Sequence, residues 1–119
     1  MLFIKLIFTI FYFTATNAEQ QVVAKLVERV DSGAHCGVIA TAAVNKFIIY
    51  KDGKPTNEQI KVAIQCVETF DKSFFHASGV YKLFISDDQK LLKNYTVFDK
   101  YSSKQKTFVL QKIQLYKGD

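Results

Sequence analysis

Four side chains in this sequence could work together on a metal or a reactive carbonyl: His35, Cys36, Cys66 and His76. Two thiolates and two imidazoles match a tetrahedral zinc set, but such sites space their ligands in short paired gaps. Here His35 adjoins Cys36, and His76 lies ten positions past Cys66, so the spacing argues against zinc. A Cys–His nucleophilic pair needs a free thiolate in an electropositive setting. The third chemistry is a disulfide, and compartment decides among the three.

The first eighteen residues address the compartment. Met1 to Lys5 carries one positive charge, Leu6 to Phe13 is an apolar and aromatic run broken only by Thr9, and Ala15-Thr16-Asn17-Ala18 ends in small residues. That order predicts a secretory signal peptide over residues 1–18, with the mature chain starting at Glu19. The apolar run falls short of the roughly 20 residues needed to span a bilayer, so no membrane span is expected. The predicted destination is secreted or periplasmic. In that setting Cys36 and Cys66, the only cysteines, are expected to form a disulfide. Closing that loop would contribute roughly 3–4 kcal/mol in the chain-entropy treatment.

No other constellation points to catalysis. Gly-rich phosphate loops, Gly-x-Ser-x-Gly and His-Glu-x-x-His are missing from the sequence. The acids Glu28, Asp31, Glu58, Glu68, Asp71, Asp87, Asp88 and Asp99 are scattered, and Asp87-Asp88 reads most simply as a turn. No metal or cofactor is expected. Removing Lys5 leaves 15 basic against 11 acidic residues, a net charge of +4. All the basic residues but Arg29 are lysines, which suit solubility better than two-pronged phosphate or carboxylate recognition.

One stretch combines charge with rings. Lys90, Lys93, Lys100, Lys104, Lys106, Lys112 and Lys117 alternate with Tyr95, Phe98, Tyr101, Phe108 and Tyr116. Cations that track an acidic polymer and rings that stack on sugars or bases make Lys90, Lys93, Tyr95, Lys100, Tyr101, Lys104 and Lys106 the candidate ligand-binding set. The ordinary alternative is aromatic core with lysine rims. Asn94-Tyr95-Thr96 is in addition a glycosylation sequon, meaningful in a eukaryotic source.

Positioning these residues requires a single domain over residues 19–119. Gln21 to Val30 alternates with β-branched residues and predicts a strand. Cys36 to Tyr50 predicts a long bent strand, Lys51 to Pro55 a turn, and Ile60 to Cys66 a third strand that would place the cysteines at the open end of a hairpin. Phe70 and Phe74, four apart, predict a short helix over Glu68–Phe75. Val80 to Ser86 and Thr107 to Tyr116 complete the strands. The sum is an all-β chain with small α content: a five-stranded OB-like Greek-key barrel with a short helix between strands three and four.

Val22-Val23-Ala24-Lys25-Leu26-Val27, Cys36-Gly37, Ile64-Gln65-Cys66 and Gly79-Val80-Tyr81-Lys82-Leu83 together make the chain resemble the small secreted OB domains of the netrin-module and tissue-inhibitor-of-metalloproteinases type. The resemblance implies a secreted binding module and covers most of residues 19–119. It carries over no zinc-chelating residue, because the family's inhibitors begin with a cysteine and this mature chain would begin at Glu19. Gln21-Val22-Val23-Ala24 is similar to the cystatin inhibitory loop, but Lys25 stands where glycine would follow, and coincidence accounts for it. The expected function is a monomeric, non-catalytic binding module. Its expected partner is an extracellular or periplasmic protein, as for a protease-inhibitor-like module, or an acidic polymer.

Overall fold

A computed structural model describes residues 19–37 and 39–118. The proposed signal peptide lies outside the described residues. Six strands form one mixed sheet: β1 (Gln20–Leu26), β2 (Thr41–Lys51), β3 (Lys54–Gln65), β4 (Val80–Ser86), β5 (Thr96–Phe98) and β6 (Thr107–Leu115). β1 pairs antiparallel with both β2 and β4, β2 with β3, and β4 with β6, while β3 and β6 run parallel. Followed through β1, β2, β3, β6 and β4, the pairings return to β1. The short β5 stands outside this circuit and pairs parallel with the start of β2, Thr96 opposite Thr41.

Alternation sets the core. Ala24 and Leu26, Phe47 and Ile49, Ile60, Val62 and Ile64, and Tyr81, Leu83 and Ile85 all point to one buried side. The β2–β3 hairpin turns at Asp52 and Gly53, whose φ angles of 55° and 76° are those of a two-residue type I′ turn. The expected strands and this turn are present. Against the sequence patterns, β2 begins five residues later, β1 ends four residues earlier, and β3 begins six residues earlier, inside the expected Lys51–Pro55 turn.

Two expectations need correction. The barrel was expected with five strands, and the sheet has six because Thr96–Phe98 adds an edge. The helix expected over Glu68–Phe75 is replaced by a three-residue 3-10 turn, Val67–Thr69, and there is no α-helix among the described residues. Phe70 leaves helical space at φ −75°, ψ 134°. Three carbonyls of this segment face Arg29, the Val67 carbonyl also keeping its 3-10 bond from the Phe70 amide. The Arg29 guanidinium donates to the carbonyls of Phe75 at 2.8 Å, Phe70 at 3.0 Å and Val67 at 3.1 Å. A charged donor held by three carbonyls replaces the backbone ladder.

The segment nonetheless packs its rings into the core. Phe75 is fully buried, with ring centroids 5.4 Å from Phe70, 5.6 Å from Tyr81 and 6.4 Å from Phe47. Tyr81 locks it: its hydroxyl donates to the Phe74 carbonyl at 2.7 Å and accepts from the His76 amide at 3.0 Å. Gly79 is required here by close approach, since a Cβ would overlap the Tyr81 ring.

A second, smaller layer lies on the other side of β2 and β3. Ala42, Val44, Ala63 and Val109 are buried there together with Lys61, which is only 1% exposed. The chain from β5 to Lys106 lies over this layer. Lys61 Nζ pairs with Asp99 at 2.8 Å and donates to the Ser103 carbonyl at 3.4 Å. Burial tends to raise the Asp99 carboxyl, but the Lys61 ammonium and the Tyr101 and Ser102 amides outweigh it and hold the group below its ordinary range. A carboxyl lowered by folding contributes stability that is present above its unfolded value near pH 4 and disappears as pH falls through the folded value. Asp99→Asn is therefore expected to cost about 2 kcal/mol at pH 7, because it leaves a buried ammonium without its counter-charge, less than the roughly 3–5 kcal/mol of a fully buried pair since Asp99 is 26% exposed. Urea titrations of the two proteins should converge as pH falls towards 2.

Candidate functional site

The disulfide joins Cys36 to Cys66 with Cα atoms 5.7 Å apart. It does not close the end of a two-strand hairpin as expected, because Cys36 lies in the loop before β2 and Cys66 sits just past β3 in a left-handed conformation at φ 52°. The Cys66 amide donates to the Thr41 carbonyl at 2.9 Å, and Glu68 Oε2 accepts from the Cys36 amide at 2.7 Å. Cys36, Cys66 and Glu68 are close enough for a metal, but the disulfide consumes both thiolates. His35 and His76 are exposed and are not in that group. Neither the zinc set nor the Cys–His nucleophile has its thiolate.

The structure does not bring the seven candidate binding residues together as one free surface. Lys100 lies 2.6 Å from Glu28, and the Tyr101 hydroxyl donates to the same carboxylate at 2.9 Å. Lys46 and Lys100 sit over the Tyr101 ring, 4.6 Å and 5.5 Å from its centroid. Burial first, and then the Glu28 hydrogen bond and charge, push the Tyr101 hydroxyl up to about 12, so it remains a donor. Lys106 pairs with Asp87 at 3.0 Å. These three residues fasten the β5–β6 connection to the sheet. Lys90, on the 3-10 turn Gln89–Leu92, and Lys93 and Lys104 are exposed and have no acidic partner within ion-pairing distance among the described residues, while Tyr95 is half-buried.

A different surface gathers free charge and rings. On the outward side of β1, β4 and β6, register places Val23 opposite Lys82 and Tyr50, Lys25 opposite Val80 and Ile48, Lys82 opposite Gln114, and Phe84 opposite Lys112. Tyr116 continues this row, its amide bonded to the Val80 carbonyl at 3.0 Å. Lys112 Nζ stands 5.4 Å from the centre of the Phe84 ring. Lys25 and Lys82 are diagonal neighbours across β1 and β4. None of Lys25, Lys82, Lys112 and Lys117 has an acidic partner within ion-pairing distance among the described residues. Like charges on adjacent strands without compensation disfavour the free fold.

An open cleft of about 480 Å³ ends this face, lined by Phe74, Lys82, Leu115, Tyr116 and Lys117 among others, with no carboxylate among the described residues of its wall. Two ammonium groups beside two rings suit an anion attached to a flat or apolar body. Sequence reasoning named Lys112, Tyr116 and Lys117 in the wider basic stretch but missed Lys25, Lys82 and Phe84. The available signal was a lysine at an outward position in each of three strands, which becomes a cluster only once the strand order is known.

No family model, curated protein or solved structure matches this chain. The disulfide and the mostly β fold are thus properties read from the chain itself. Among the described residues no helix is long and apolar enough to cross a membrane.

Proposed function

We propose that this protein is an exported, non-catalytic binding module on an OB-like barrel, and that it takes an anionic glycan across the outer face of β1, β4 and β6. The carrying observation is the uncompensated row of Lys25, Lys82 and Lys112 interleaved with Val23, Phe84 and Tyr116. Lysines act as point charges and suit repeated sulfate or carboxylate groups without demanding one fixed geometry. Rings beside them give sugar faces a surface to lie on. The disulfide fits the oxidising setting that export implies. The closed circuit of five strand pairings, with a coiled aromatic segment filling the core end, supports the barrel and the resemblance to the netrin-module type at the level of fold.

The test is retention on an immobilised sulfated polysaccharide followed by a salt gradient. The wild-type protein is expected to bind at low ionic strength and to elute as screening grows. Lys82→Glu with Lys112→Glu is expected to weaken binding at least tenfold, about 1.4 kcal/mol or more. Lys90→Glu with Lys93→Glu should change it far less. Because Lys25 and Lys82 repel each other, Lys82→Gln is expected to lose affinity while gaining a few tenths of a kcal/mol in folding stability at low salt. Equal retention of wild type and the Lys82/Lys112 variant would overturn the assignment of this face, and tighter retention on single-stranded nucleic acid would overturn the glycan.

A further inference from the structure

The connection that carries β5 presents a modification motif beside the weakest edge of the sheet. Asn94, Tyr95 and Thr96 form the sequon, and Asn94 sits exposed in the turn that leads into β5. Its side-chain amide has no hydrogen-bond partner among the described residues. All three residues of β5 are exposed, and the strand pairs only with β2, so its other edge offers free backbone groups. Val97 and Phe98 are 42% and 43% exposed, and Ile39 is 57% exposed. Thr96 lies opposite Thr41, and its amide bonds to the Ala40 carbonyl at 2.9 Å. Ile39 directly precedes Ala40, whose carbonyl holds the Thr96 amide, so it lies near the start of β5. An unpaired edge next to large apolar side chains is a surface that secreted β proteins need to cover.

We infer that Asn94 is an N-glycosylation site and that its glycan covers the free edge of β5 together with Ile39, Val97 and Phe98. The transfer needs a lipid-linked oligosaccharide as donor. The Asn94 amide nitrogen bonds to the anomeric carbon of the sugar, the bond from that carbon to the pyrophosphate oxygen breaks, and the lipid pyrophosphate leaves with its electron pair. The amide gives up one proton. Thr96 supplies the hydroxyl residue that the motif requires, and it stands at the exposed start of β5. The glycan would lie on the β2–β5 side and leave the outward residues of β4 and β6 open.

This inference rests on the export reading, and the experiment separates the two. The full chain is expressed in a eukaryotic secretory cell beside a version whose residues 1–18 are replaced by a proven secretory leader. Intact mass of the secreted protein is expected to show one glycan that peptide-N-glycosidase removes. Asn94→Gln and Thr96→Ala should abolish that step, and Thr96→Ser should keep it. Enzymatic removal of the glycan from the folded protein should raise binding of an apolar dye, and Phe98→Lys should reverse the rise. Secretion and modification only with the substituted leader would refute export while supporting the site. Secreted protein with Asn94 bare would overturn the site, and dye binding unchanged by deglycosylation would overturn the shielding.

Discussion

Replacing both Cys36 and Cys66 by serine is expected to lower the unfolding free energy by roughly 3–4 kcal/mol, the largest loss from removing a single link in this chain. The bond closes a separation of 30 residues that contains the whole β2–β3 hairpin. Removing it restores that loop's freedom to the unfolded chain. It also unties the β1–β2 connection, which otherwise holds to this end of the molecule through Glu68, Thr41 and Asn45. Asn45 donates to the Val30 carbonyl at 2.9 Å and accepts from the Val30 amide at 2.8 Å, so the connection has a second anchor. The doubly substituted protein should therefore keep its β circular-dichroism spectrum while its urea midpoint falls. An unchanged midpoint would show that the loop is already ordered in the unfolded chain.

Arg29→Ala is the next largest expected effect, about 3 kcal/mol. Three carbonyls lose a charged donor together; one hydrogen bond to a charged group contributes about 1.5–3 kcal/mol net, and water reaching the part-buried carbonyls offsets the remainder. The guanidinium also stands 5.7 Å from the Phe75 ring centre, so packing is lost with the charge. Arg29→Lys is expected to recover less than half, because an ammonium is a point donor and cannot span carbonyls contributed by Val67, Phe70 and Phe75. Urea titration of both variants checks the order. A lysine variant as stable as wild type would show that charge alone, and not the fork, holds the segment.

The disulfide and Arg29 illustrate what could be read before the fold was known. The disulfide was legible from the expected signal peptide and an even cysteine count, and the Asp52-Gly53 turn from its residue types. β4 was legible to its bounds because Tyr81, Leu83 and Ile85 alternate cleanly between Gly79 and Asp87. The segment after Cys66 was not, since Phe70 and Phe74 four apart fit both a helical face and a compact turn whose rings meet, here with centroids 5.9 Å apart. What decides is Arg29, 38 to 46 residues away, and no local pattern carries that contact. The basic surface was misplaced for the same reason. Lys100, Tyr101 and Lys106 look free in one dimension but are held by Glu28 and Asp87, whereas Lys25, Lys82 and Lys112 meet only across strands.

Glu28 shows how the expected surface became a fastening. Its carboxyl is held below the usual range by hydrogen bonds from Lys100 and Tyr101. An acid placed there engages Lys100 and Tyr101, two of the residues that would have faced a polyanion. No comparable acid stands on the outer side of β1, β4 and β6 among the ion pairs of the described residues. Folding thus ties down Lys100 and Lys106 of the β5–β6 connection, while Lys25, Lys82 and Lys112 on the sheet stay unpaired among the described residues.

Amide chemical shifts followed during titration with a sulfated oligosaccharide address the binding face most directly. Saturable changes are expected at Lys25, Lys82, Phe84, Lys112 and Tyr116, fading as salt is added. Changes confined to Lys90–Lys106, or none that saturate, would contradict the account.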